Sequence, residues 1–142
     1  MRAATAALGV VLAGLATGEA RARCEVDASG LAFGTITLDR MNTSTAAITV
    51  RCDEATGFEV ALTSPGFQRV MNGPGSAVLD YMIFIDPSYT VEWGDGSLIG
   101  PRRGGVSDGI TPTTLYAYGV IPAQGGRPAG TYTTTVMVAV IF

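Results

Sequence analysis

Cys24 and Cys52 are the side chains of this chain best suited to covalent chemistry, and their spacing decides which chemistry. A redox-active pair sits close together, as in Cys-x-x-Cys. Two cysteines this far apart are expected, in an oxidising compartment, to form a structural disulfide, worth roughly 3.5 kcal/mol for a loop of that length. The chain has no histidine and no lysine, so the usual neutral-pH base and the commonest metal ligand are both missing. With both thiols paired, a nucleophile would lack its activator, and no enzyme activity or cofactor is expected. Asp80, Asp86, Glu92 and Asp95 are the densest acidic group. Asp95 stands between Gly94 and Gly96, a combination that makes a hairpin turn. Calcium loops need several oxygen ligands at fixed short spacing, and the four acids have no such spacing, so no metal is expected. Gly104-Gly105 and Gly125-Gly126 lack the strand-to-helix setting of a phosphate cradle.

The elements that carry these residues begin after a leader pattern. Met1-Arg2 is a positive start, Ala3 to Ala16 is apolar apart from Thr5, and Ala20-Arg21-Ala22 sets small residues at −3 and −1 of a cut. Residues 1–22 therefore read as a cleaved secretory signal and 23–142 as one domain. The apolar run is too short for a comfortable membrane span, and no later one is longer, so the cleaved chain is not membrane-embedded. The part after the cut carries seven arginines against eleven carboxylates, a net charge near −4. That surface does not call for nucleic acid.

Short alternating or apolar runs recur between Gly- and Pro-rich turns, and none has helical period. Strands are expected at Cys24–Ala28, Leu31–Leu38, Ala47–Cys52, Phe58–Thr63, Val78–Ile85, Tyr89–Trp93, Leu115–Ile121 and Thr131–Phe142, with 97–112 a mobile loop. Together they predict an all-β sandwich. The last run would make one strand about 40 Å long. Its more apolar face, Tyr132, Val136, Val138, Val140 and Phe142, is taken as the inward one. No strand follows it, so its cover is expected from elsewhere in the chain or from another protein.

In order, Cys24, Gly30-Leu-Ala-Phe-Gly34, Ile48-Thr-Val-Arg-Cys52, Arg69-Val-Met71, Leu79–Asp86, Trp93-Gly-Asp-Gly96, Gly119-Val-Ile-Pro122 and Ala129–Phe142 resemble the spore coat protein U domain. That family includes pilins and adhesins of archaic chaperone–usher pili. The resemblance implies an incomplete immunoglobulin-like β-sandwich lacking its last strand. A periplasmic chaperone, and then a donor strand from a neighbouring pilus subunit assembled at the outer-membrane usher, would complete it. The wall of the acceptor groove would be Tyr132, Val136, Val138, Val140 and Phe142. About five donor side chains entering it would contribute on the order of 10 kcal/mol. The protein would pass through the periplasm to the cell surface.

One departure qualifies this. Polymerising subunits of the family carry an alternating apolar segment before the first cysteine, and here a cut after Ala22 leaves only Arg23. Such a subunit could accept a strand but not give one, which places it at a fibre end, most simply the tip, and leaves three options: a single-domain tip, a truncated gene product or a non-pilus secreted relative. The alternative is a self-contained secreted or envelope module. It would complete its own sheet and bind a ligand through residues 97–112 and surface aromatics, with Trp93, Tyr89, Arg102 and Arg103 as the candidate surface.

Overall fold

The computed structural model describes the backbone of residues 3–8 and the whole of residues 22–142. Ten strands follow in order: β1 Ala3–Leu8, β2 Cys24–Ala28, β3 Asn42–Cys52, β4 Ala55–Thr63, β5 Val70–Asn72, β6 Val78–Asp80, β7 Met82–Phe84, β8 Arg103–Asp108, β9 Thr113–Ile121 and β10 Val136–Ile141. They build an antiparallel sheet of order β1-β10-β4-β8, a second of order β2-β3-β9-β7, and a small β5-β6 pair. Period-2 alternation supplies the reason the two large sheets stack. Val26, Ile48, Val50, Leu115 and Ala117 of one sheet meet Phe58, Val60, Leu62, Val138 and Val140 of the other in a single buried cluster. Polar partners such as Thr43, Thr45 and Arg51 take the alternate positions and face water. Cys24 lies directly opposite Cys52 in the β2–β3 register, and the two form a disulfide on the inward face.

The all-β reading holds, and several boundaries change for physical reasons. Leu31–Leu38 alternates but is not a strand. It runs across the end of the core, where Leu31 and Phe33 crowd the bare Cα of Gly119 and the Ser44 hydroxyl donates to the Ala32 carbonyl at 2.8 Å. Val78–Ile85 is two strands in different sheets, broken at Asp80-Tyr81. There the Gln124 amide accepts from Asp80 N–H and donates to Asp80 C=O, both at 3.0 Å, so one side chain stands in for a neighbouring strand. Tyr89–Trp93 contains only an isolated bridge between Glu92 and Phe84. The segment 97–112, expected to be a loop, holds β8, which pairs with β4 from Ala55 opposite Asp108 to Val60 opposite Arg103.

The long last strand is also shorter than expected. Only Val136–Ile141 is strand. Thr133 instead exchanges two backbone hydrogen bonds with Asn72, at 2.8 and 3.0 Å, which draws residues 131–135 toward β5 and away from β4. Ala3–Leu8, in the stretch expected to be a leader, pairs with β10. Residues 1, 2 and 9–21 of that leader lie outside the described residues.

Candidate functional site

The outer edge of β10 is where the two large questions of this chain meet. Along its inner edge β10 pairs with β4, from Met137 opposite Thr63 to Ile141 opposite Glu59. Along its outer edge it pairs with β1, from Ala3 opposite Ile141 to Leu8 opposite Val136. The inward side chains Val136, Val138 and Val140 are buried, Val138 and Val140 completely, while Met137 on the other face is 42 % exposed. These three are among the five residues that alternation assigned to the inner face. Phe142 lies one residue beyond the strand, half-buried against the core.

Tyr132 requires a correction: it does not stand in β10. Its ring fills the space beside Gly73, where a Cβ would collide with it, and its hydroxyl donates to the Pro128 carbonyl at 2.6 Å. It forms part of a cleft of about 800 Å³ that alternation could not reveal, because its walls come from segments far apart in sequence. Leu31, Phe33, Met71, Leu79, Tyr132 and Val136 are among its lining residues. Since Val136 lines it, the cleft opens beside the start of β10.

The four residues expected on a ligand surface do not form one. Trp93 is fully buried, a correction forced by its hydrogen bonds. Its backbone N–H donates to Ile83 of β7 at 2.8 Å, and its indole N–H donates to the Val60 carbonyl of β4 at 2.8 Å. It therefore ties one sheet to the other. The buried Arg69 guanidinium donates to the Trp93 carbonyl at 2.6 Å, and loss of hydration lowers its pKa from the ordinary arginine value. Arg103 lies 5.6 Å over the indole ring and donates to the Tyr116 carbonyl at 3.1 Å. Arg102 is exposed, 3.3 Å from Glu59. Tyr89, half-buried at a positive φ of 56°, sets its ring edge-on to Phe84 at 5.7 Å.

Residues 12–139 match the family profile described as Spore Coat Protein U domain. The chain belongs to this family. Among solved structures it is similar to a chain of the CsuC–CsuE chaperone–tip adhesion subunit pre-assembly complex from archaic chaperone–usher Csu pili of Acinetobacter baumannii. The identity there is 25 %, with a TM-score of 0.59, over 86 % of this chain and 40 % of that one. No curated protein matches the chain significantly. The family match begins at residue 12, so it takes in β2 to β9 and most of β10 but not β1.

Within this spore coat protein U domain the acidic group is dispersed: Asp80 ends β6, Glu92 bridges to Phe84, and Asp86 and Asp95 lie in bends. Asp86 accepts from the Thr90 hydroxyl at 2.6 Å and from the Val91 N–H at 3.0 Å, bonds that hold its pKa below the usual carboxylate value. Asp95 is lowered chiefly by the Ser97 hydroxyl. Asp108 is lowered by the backbone N–H groups of Ile110 and Thr111, at 2.8 and 2.7 Å. Asp80 pairs with Arg127 at 3.5 Å. Among the described residues no group of three or more His, Cys, Asp or Glu is placed to hold a metal ion.

Gly105-Val-Ser-Asp-Gly109 spells Gly-x-Ser-x-Gly. A nucleophile elbow needs a strand-to-helix turn with its serine exposed. Ser107 is 1 % exposed, inside β8, and its hydroxyl accepts from the Gly109 N–H at 3.1 Å. The motif closes a strand-to-strand turn.

Proposed function

We propose that the protein is an exported structural subunit of a chaperone–usher surface fibre, receiving an extended strand along the outer edge of β10. The observation that carries this reading is the edge itself. Its inward side chains Val138 and Val140 are fully buried, yet among the described residues its outer ladder is made with Ala3–Leu8, within the segment that reads as a secretory leader. Once residues 1–22 are cut away, the domain 23–142 would present a six-residue row of unpaired backbone groups beside an apolar groove. Such an edge recruits another chain. Family membership and the likeness to the chaperone–tip adhesion subunit complex support the choice of partners. These are a periplasmic chaperone first, then a neighbouring subunit's donor strand at the outer-membrane usher. With the cut after Ala22, Arg23 alone precedes Cys24, and this supports a place at the tip. No catalytic role is part of the proposal.

A second reading rests on the same ladder: with β1 in place the sheet is complete, as a self-contained binding module would require. Co-expression separates the two. A fibre subunit is expected to leave the periplasm as a one-to-one complex with its candidate chaperone. Recovery of a stable monomer that ignores the chaperone would reject the fibre reading.

A further inference from the structure

We infer that the outer edge of β8 is a self-association surface, where two copies of this chain join their sheets antiparallel about a two-fold axis at Gly105. Among the described residues β8 ends its sheet, with β4 between it and β10. The surface therefore stands apart from the acceptor edge, and the inference does not depend on that reading. Three observations carry it. First, the edge is unguarded. Sheets protect their edges with outward charges, proline or a covering segment. Arg103–Asp108 contains no proline, and Arg103 is spent elsewhere, lying over the Trp93 ring and donating to the Tyr116 carbonyl. Ser107 is buried, so Gly104 and Val106 are what the middle of the strand exposes. The Val106 carbonyl accepts from the Thr113 hydroxyl at 3.2 Å and keeps a second lone pair.

Second, apolar side chains gather along this edge. Ile110, Leu98 and Val106 are 85, 84 and 75 % exposed, the highest values of any large hydrophobic among the described residues. Leu98 lies in the hairpin that leads into β8, closed by the Gly94 N–H on the Pro101 carbonyl at 2.9 Å, and Ile110 lies in the turn that follows. A second edge laid alongside would cover them. Third, the charges match under a two-fold axis. Two antiparallel edges related in this way keep their inward faces on one side, so exposed residues meet exposed ones. With Gly105 on the axis, Arg102 stands opposite Asp108 of the second copy and Val106 opposite its Gly104, each twice. Opposite charges directly across strands stabilise a pairing, and no like charges face each other in this register. Moving the axis to Val106 would set Arg102 against Ile110 and Asp108 against Gly104, losing both ion pairs. The groups have capacity to spare. Glu59 and Asp95 engage two of the five Arg102 donors, and the turn N–H groups of Ile110 and Thr111 use Oδ1 of Asp108.

A two-strand contact is small, so the dimer is expected to form at about 10–100 µM. Sedimentation equilibrium of the full chain reads it. Val106→Lys places a guarding charge on the edge and should weaken association by about tenfold or more. A parent chain that stays monomeric beyond about 300 µM, or equal association of parent and variant, would overturn the inference. The register has its own test in Gly104→Cys and Val106→Cys, both at exposed positions. A Cβ at Gly104 meets nothing nearer than the Phe58 carbonyl oxygen at 3.9 Å. Under mild oxidation each variant alone should stay uncrosslinked, while an equal mixture of the two forms a disulfide-linked dimer. Crosslinking of either variant alone, or none in the mixture, would overturn the pairing about Gly105.

Discussion

At the scale of single residues, the joint between the sheets is concentrated in Trp93. It donates to β4 through its side chain and to β7 through its backbone. Trp93→Phe removes the first bond, strands the Val60 carbonyl and leaves a void. The expected cost is about 2–4 kcal/mol, read as a lower denaturant midpoint by far-ultraviolet circular dichroism. The turn carboxylates act differently, through pH. Asp86, Asp95 and Asp108 have pKa values lowered by hydrogen bonds that exist only in the folded chain. Their contribution is therefore complete above the ordinary carboxylate range and is lost as pH falls through and below about 4. Melting temperature should be level from pH 8 to about 5 and then decline. Replacing all three with asparagine should flatten that decline, and an unaltered acid limb would show that these turns do not set it.

Among the elements, β10 offers a test with its own control. Val138→Asp places a carboxylate where exposure is 0 % and is expected to abolish recovery from the periplasm, since burying an unpaired charge costs several kcal/mol. Met137→Asp, one residue away and 42 % exposed, should be recovered near parental yield. Equal loss of both would place the sensitivity outside the groove. The turn after β8 is a second such place. Gly109 has φ +82°, and a Cβ there would lie 2.8 Å from backbone atoms of Glu54 and Ala55. Gly109→Ala should therefore cost about 1–3 kcal/mol, measurable as a reduced melting temperature.

These two elements also show what could be read in advance. The inner face of β10 was legible because Val136, Val138 and Val140 stand at every second position, the period of one face of a strand. The β2–β3 staple was legible from compartment and cysteine count. By contrast, β8 was not: Arg103-Gly-Gly has no strand preference, and it pairs with β4 where the Phe58 ring occupies the space above Gly105, a long-range fact. Residues 131–135 carry strong strand preference yet leave the ladder, because Asn72 offers Thr133 a competing pair of bonds. The cleft and Tyr132's place in it likewise depend on segments far apart in sequence.

For the molecule as a whole, closure of one sheet depends on a strand from the region expected to be cut away. Residues 23–142 alone, without chaperone or donor peptide, should therefore show no cooperative melt above about 60 °C. A sharp transition there would mean that the domain needs no partner. The same arrangement has an optical consequence. The chain has a single tryptophan, and it sits dry at the seam of the two sheets with the Arg103 cation over its ring. Its emission should be short in wavelength when the layers are docked and shift to the red when they part. The protein thus carries an intrinsic fluorophore that reports sheet docking in real time, during chaperone loading or strand exchange, with no label attached.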